Sequence, residues 1–336
     1  MDIEGISWDA ASGMMLGLAI GDALGAYLEF QPSREPGNYL REYKSGGPHN
    51  LPAGYWTDDT SMALAIAKGL LDRNGEFDPH LIMENFVSWM TDGKFSSTGT
   101  CFDIGMTCQM ALGKYRKDKS NPYCGPTDPY SAGDGALMRM APVIIAARNE
   151  KEALENALLQ TNLTHGCTEC LQYSEAFARE LWVGKALKEY RHLKLPLNTH
   201  LMEVKSGGYV KETYQCAWWA VENTDSFEAA LITAVNRGHD ADTVGAVTGQ
   251  LAGRIYGCYS IPDWMFDGLY EHDQIRYLAS KLHDLSKLAF GIKIHSSSHF
   301  DADHNIRSCI LLFYLFFPHQ NHNPQKQTTQ KFLVIH

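Results

Sequence analysis

Residues 242–257, "DTVGAVTGQLAGRIYG", carry helical spacing, yet Gly245, Ala246, Gly249, Ala252 and Gly253 recur within them. A glycine inside a helix costs about 1 kcal/mol relative to alanine. Several in one helix need an offsetting contact, and the contact that glycine alone permits is close approach of another backbone. The segment therefore predicts a central, buried helix, and the rest of the chain has to pack around it.

The remainder agrees with a helical reading. Apolar residues recur at mixed three and four spacing over 8–28, 57–72, 79–91, 100–117, 134–147, 150–161, 167–190, 209–222, 226–236, 242–257 and 273–288. In 57–72, for example, Met62, Ala65, Ile66, Gly69 and Leu70 share one face. Joints such as "QPSREPGNY", "GGPHNLPAG", "NPYCGPTDPYSAGDG" and "KSGGY" are rich in proline and glycine. Period-two alternation is absent, so the expectation is one all-α domain of about ten or more helices over residues 1–294. The 336-residue length and 44% hydrophobic content support a core of that size. Residues 295–336 change character, from the His-rich "HSSSHFDADHN" to the low-complexity "PHQNHNPQKQTTQKF", and are expected to form a polar, poorly ordered tail. The apolar run "CILLFYLFF" at 309–317 is far short of the roughly 20 residues of a membrane helix.

A net charge of −10 argues against a nucleic-acid surface, although a small phosphate-bearing substrate held by local donors stays compatible with it. The acidic start "MDIEGISWDA" matches neither a signal peptide nor a transit peptide, and a cytoplasmic setting is expected. Cys167 and Cys170 form a lone CxxC beside His165. A structural zinc site needs four ligands, so buried helix cysteines are the better reading.

Chemistry concentrates in two echoing clusters, Thr57-Asp58-Asp59-Thr60 and Asp240-Ala241-Asp242-Thr243, each directly before a helix. Taken singly, either could cap its helix and complement the dipole. Adjacent acids point in different directions, however, and capping accounts for one of each pair better than for both. Carboxylates and hydroxyls without a His or Cys cluster are the ligand set of hard divalent cations. Four such acids brought together would repel unless one or two cations neutralised them.

Five ordered segments carry a family resemblance: "GLAIGDALGAYLEF" at 17–30, "GYWTDDTSMAL" at 54–64, "GDGALMRMAP" at 133–142, "LTHG" at 163–166 and "AVNRGHDADTVGAVTGQLAGRIYG" at 234–257. Over residues 11–258 the chain resembles the ADP-ribosylglycohydrolase family, and "SSTGTCFDIGMT" at 96–107 is similar to its dinitrogenase reductase-activating subgroup. The resemblance implies a single, orthogonally packed all-α domain with a dinuclear Mg²⁺ or Mn²⁺ site. It implies metal ligation by Thr57, Asp58, Asp59, Asp240, Asp242 and Thr243. Glu29 and Asp103 match acids beside the metals and the ribose, with catalytic roles; an exposed helix-end Glu and a helix-start Asp are the plainer readings. Gly133, Asp134 and Gly135 would form a tight loop at a helix N-terminus suited to a pyrophosphate. Asp134 stands where many members have Asn, and is expected to face a ribose hydroxyl or the metal side. His165, Gly208 and Tyr209 match segments that contact or border the substrate; for His165, contact and support from behind stay open, as do base stacking and loop anchoring for Tyr209. His239 replaces a usual glycine, and either relaxes the backbone or projects into the cleft.

The implied activity is metal-dependent hydrolysis of the glycosidic bond between ADP-ribose and a modified protein side chain, most simply arginine. A serine linkage, a small ADP-ribose conjugate, or a non-catalytic ADP-ribose-binding or structural member of the fold are the alternatives. An ADP-ribosylated protein is the expected partner, without nucleic acid or membrane.

Overall fold

The computed structural model describes residues 5–288, which fall within one compact unit. The expected tail at 295–336 lies outside the described residues. Twelve α-helices follow in order: α1 Trp8–Gly25, α2 Asp58–Asp72, α3 Pro79–Asp92, α4 Met106–Lys117, α5 Ala141–Ala146, α6 Glu150–Thr164, α7 Thr168–Val183, α8 Val210–Glu222, α9 Phe227–Val235, α10 Ala241–Tyr256, α11 Asp263–Gly268 and α12 His272–Leu288. Among the described residues there is no strand, only the isolated bridges Gly46–Leu51 and Gly133–Tyr209. None of their helices is long and apolar enough to cross a membrane.

The glycine-bearing helix is α10, and its close neighbour is α1. Gly13, Gly17 and Gly21 face Gly253, Gly249 and Gly245, so the two helices run antiparallel with bare backbone against bare backbone. A Cβ on Gly17 would stand 2.0 Å from the Gly249 carbonyl oxygen, and one on Gly249 would stand 1.8 Å from that of Gly17. Every residue of α1 from Ala10 to Gly25 is buried, as befits a helix without a solvent face. Helices α8, α9 and α12 pack on this central pair, α3 on α2 and α7 on α6.

Several boundaries differ from the periodicity, each for a local reason. The first helix stops at Gly25 rather than 28, and turns carry the chain on to Phe30, whose φ is +59°. The helix expected from 100 begins at Met106, because Asp103 adopts φ +56° and residues 101–105 run as a loop. Within 134–147 only Ala141–Ala146 is helical, with Pro142 in its first turn where a missing N–H is harmless. The helix expected to reach 190 ends at Val183, since Gly184 takes the left-handed cap at φ +79°. Helix α11 falls between the expected segments altogether.

Candidate active site

The antiparallel crossing of α1 and α10 carries both acid clusters to one place, and neither cluster is a helix cap. Thr57 stands at the N-cap of α2 and Asp240 at that of α10, but neither side chain bonds a free N–H of its helix. The capping of α2 comes from α1 instead. Asp22 Oδ1 accepts from the Thr57 N–H and hydroxyl at 2.8 and 2.9 Å, and Oδ2 accepts from those of Thr60 at 2.9 and 2.6 Å. Burial still pushes the Asp22 carboxyl up to about 6 against these bonds. Sequence reading missed Asp22; its only signal was a lone acid inside the apolar run "GLAIGDALG".

The oxygen cluster next to Asp22 lacks positive charge. Thr57 Oγ1 lies 2.9, 3.0 and 3.1 Å from oxygens of Asp22, Asp59 and Asp242, and one hydroxyl proton can serve only one of them. Asp59 Oδ1 and Asp242 Oδ1 are buried without any hydrogen-bond partner. Oxygens of Asp22, Asp59 and Asp242 lie within 4.8 Å of one another, as do those of Asp58, Asp103 and Asp242. Burial first, and then the neighbouring carboxylates, hold Asp58, Asp59, Asp240 and Asp242 well above the usual carboxylate range. Orphaned, desolvated carboxylate oxygens in a hydroxyl-bearing cage fit a hard divalent cation.

These oxygens floor a cleft of about 990 Å³. Glu29, Asp58, Asp103, Gly133, Asp134, Gly135, His165, Gly208, Tyr209, Asp240, Asp242 and Thr243 all line it, while Thr57 and Asp59 sit behind, fully buried. Six carboxylate side chains face the cavity, and among its lining residues there is neither lysine nor arginine. Glu29 is 4% exposed, not a solvent-facing helix end, and burial raises its carboxyl to about 7. Asp103 belongs to a left-handed loop residue, not to a helix start.

Gly133–Gly135 corrects the expectation of a helix N-terminus. The helix α5 begins six residues later, and the Gly133 N–H is already bonded to Ser131 O at 2.9 Å. The two glycines leave room for His165: a Cβ on Gly135 would stand 2.8 Å from its ring. That ring is 2% exposed, and burial pushes its pKa down to about 3, which keeps it neutral. Its Nδ1 meets Thr164 Oγ1 at 2.8 Å, and Thr164 is held in turn by the buried Arg139. His165 thus both lines the cleft and is braced from behind. Asp134 is turned toward the second acid cluster: Oδ2 accepts from Thr213 at 2.5 Å, and its carboxyl neighbours Asp240. Gly208 is small because a Cβ there would reach within 2.7 Å of Asp240 Oδ2. Tyr209, exposed on the rim, donates its hydroxyl to Glu169 at 2.6 Å.

His239 keeps the demanding backbone, with φ +56° after Gly238 at +66°. Its N–H bonds Gln31 O at 2.8 Å and its carbonyl accepts from Phe30 at 2.6 Å, while its side chain lines the cleft. Cys167 and Cys170 follow the bland reading: Cys167 Sγ caps α7 at Cys170 N, and Cys170 Sγ meets Gly133 O at 3.2 Å.

Known proteins resemble this chain over most of its length. The chain is 37% identical over 300 residues to the ADP-ribosylarginine hydrolase Tri1 of Serratia proteamaculans, spanning 83% of this chain and 80% of that protein. It is 33% identical over 276 residues to the ADP-ribosyl-[dinitrogen reductase] glycohydrolase of Rhodospirillum rubrum, spanning 76% and 89%. A solved structure described as an ADP-ribosylglycohydrolase-related protein complex superposes with a TM-score of 0.70 at 38% identity, over 83% of this chain and 98% of that one. The family profile described as ADP-ribosylglycohydrolase matches residues 6–290, a span that takes in α1, both acid clusters and every residue of the cleft. By its sequence, its helices and the oxygen cage between α1, α2 and α10, the chain belongs to the ADP-ribosylglycohydrolase family.

Proposed function

We propose that this protein hydrolyses the N-glycosidic bond between ADP-ribose and a modified arginine side chain, releasing ADP-ribose and restoring the arginine. The observation that carries the choice of arginine is the lining of six carboxylates without lysine or arginine, which suits a leaving group that departs as a cation. The names of the 35–37% identical Tri1 relatives point the same way.

Thr57, Asp58, Asp59, Asp240, Asp242 and Thr243 are the residues proposed to hold divalent cations, Mg²⁺ or Mn²⁺. When bound, the cations would supply Lewis acidity and offset the charge of the clustered acids. The chain's own groups supply the rest. Cleavage builds oxocarbenium-like charge on the ribose, and the surrounding carboxylates favour that charge. Glu29, with its carboxyl raised to about 7, can carry a proton near neutrality and lend it to the departing guanidine. Asp103 faces the same cavity and is proposed as the second acid–base group at the ribose. Neutral His165 offers an imidazole as a hydrogen-bonding partner beside the Gly133–Gly135 loop without adding charge. Asp134 orients Asp240 and Thr213, Gly208 leaves the approach to Asp240 open, and the Tyr209 ring borders the entrance.

The test is ADP-ribose release from peptides carrying ADP-ribosyl-arginine or ADP-ribosyl-serine, each with Mg²⁺ and with Mn²⁺. Turnover of the arginine conjugate is expected. Turnover of the serine conjugate alone would reassign the acceptor, and binding of ADP-ribose without any release would make the protein a reader.

A further inference from the structure

The joint "SGGPHNL" at 45–51 is built as a closed loop. Gly46 and Leu51 exchange both backbone hydrogen bonds, at 2.8 and 3.0 Å. Gly46, Gly47 and Asn50 take φ +110°, +69° and +53°, a sequence of left-handed residues that glycine and asparagine tolerate best. A Cβ on Gly47 would lie 2.9 Å from Ala26 O and from Tyr27 Cα, so the loop is seated on the segment that leads to Glu29. His49, near the tip, is thereby delivered to two acids at once. Its Nε2 stands 2.6 Å from Glu29 Oε2 and 3.3 Å from Asp103 Oδ1.

Glu29 and Asp103 line the cleft, whereas His49 does not. The imidazole is flanked by Phe30 and Phe102, with ring centroids 6.3 and 5.3 Å away. Each acid comes from a strained stretch: Phe30, next to Glu29, has φ +59°, and Asp103 itself has φ +56°. Strained backbone persists where the surroundings over-determine it. Asp103 stands close enough to Glu29 to disfavour its charge, and the His49 imidazole nitrogen reaches both acids. The two acids hold that imidazole protonated, its pKa pushed up to about 10.

We propose that His49 is a positioning residue for the hydrolysis: one ring nitrogen grips Glu29 and Asp103 from outside the cleft and fixes the carboxylate oxygens that meet the leaving side chain and the ribose. The role rests on the hydrolytic reading above. It differs from a fold-stabilising contact because the loop, the grip and both strained residues converge on the two acids rather than on the core.

The experiment compares wild type, His49→Ala and His49→Gln for release of ADP-ribose from an ADP-ribosyl-arginine peptide with Mn²⁺, and follows amide hydrogen exchange over residues 100–105. Misplacing a reacting group by about 1 Å costs about 100-fold, so His49→Ala is expected to lower kcat about 100-fold. KM should move by less than about threefold, because ground-state binding is untouched. His49→Gln, whose side-chain amide nitrogen reaches the place of Nε2, should recover most of kcat, and exchange over 100–105 should rise in the alanine variant alone. Wild-type kcat in His49→Ala, or a glutamine variant as slow as the alanine one, would overturn the proposal. If the wild type releases no ADP-ribose, the hydrolytic reading fails on its own. Exchange then judges the grip, and unchanged exchange in His49→Ala refutes it.

Discussion

Replacing Gly249 by alanine adds one methyl group at the tightest point of the α1–α10 crossing. Elsewhere in a helix this change stabilises, since alanine is favoured over glycine by about 1 kcal/mol. Here the new Cβ would stand 1.8 Å from Gly17 O and 2.3 Å from its carbonyl carbon, where ordinary carbon contacts need about 3.5 Å. The obstacle is helix backbone with no rotamer to change, so the two helices must part by more than an ångström. Overpacking that forces backbone shifts costs about 1–3 kcal/mol, and the upper end applies when neither side can yield. A net loss of about 2 kcal/mol is expected after the propensity gain, a large share of the roughly 5–15 kcal/mol that holds a domain folded. Urea unfolding in EDTA measures it, with Gly113→Ala as the control. Gly113 lies in α4 with nothing within 4 Å of an added Cβ, and that variant should gain up to about 1 kcal/mol. The separation also spreads Asp22 on α1 from Asp242 on α10, so Mn²⁺ should protect Gly249→Ala less than wild type. A Gly249→Ala protein as stable as wild type, or shifted like Gly113→Ala, would refute the backbone-contact argument.

Other perturbations probe the site itself. Asp22→Ala orphans the N–H groups of Thr57 and Thr60, each unsatisfied donor costing about 1–3 kcal/mol, so thermal unfolding should move down by several degrees and Mn²⁺ protection should weaken. For wild type, Mn²⁺ at about 100 times its dissociation constant should add about 2.7 kcal/mol of stability, which EDTA removes; calorimetric scans showing no metal effect would speak against the oxygen cage. Asp240→Ala should abolish ADP-ribose release while circular dichroism keeps its helical signature, and full activity would sink the proposed ligand set. In EDTA the pH dependence has a definite sign. Asp22 and Glu29 hold protons in the folded state up to about 6 and about 7, against ordinary carboxyl values of 3.8 and 4.5. Their contribution to stability is complete below the unfolded values and is lost as pH rises through the folded ones. A gap of roughly two pKa units is worth about 3 kcal/mol, so the urea midpoint should fall between about pH 4 and 7.5, and a flat profile in EDTA would contradict the buried, cation-free cluster.

Much of this molecule can be read from its residues because the signals are local. Helical spacing places most helices, and the glycines of 242–257 correctly announce a buried helix with a close neighbour. Two Thr-bearing acid pairs before helices, together with the family motifs, identify residues that line or floor one cleft. What the sequence by itself determined is therefore the class of fold, the family and the chemical type of the site. Only the tertiary structure decided which partner meets α10, because Gly13, Gly17 and Gly21 acquire their meaning from atoms more than 200 residues away. Asp22 reads as one acid in an apolar helix until α2 brings it four donors. His49 reads as part of a Pro-Gly joint until Glu29 and Asp103 converge on its ring. The start of α4 and the short α5 likewise follow from φ +56° at Asp103 and from turns at 134–140, conformations set by long-range packing against the cleft rather than by propensity. Periodicity reports which face of a segment is apolar; the distance and identity of what covers that face arise only when the chain closes on itself.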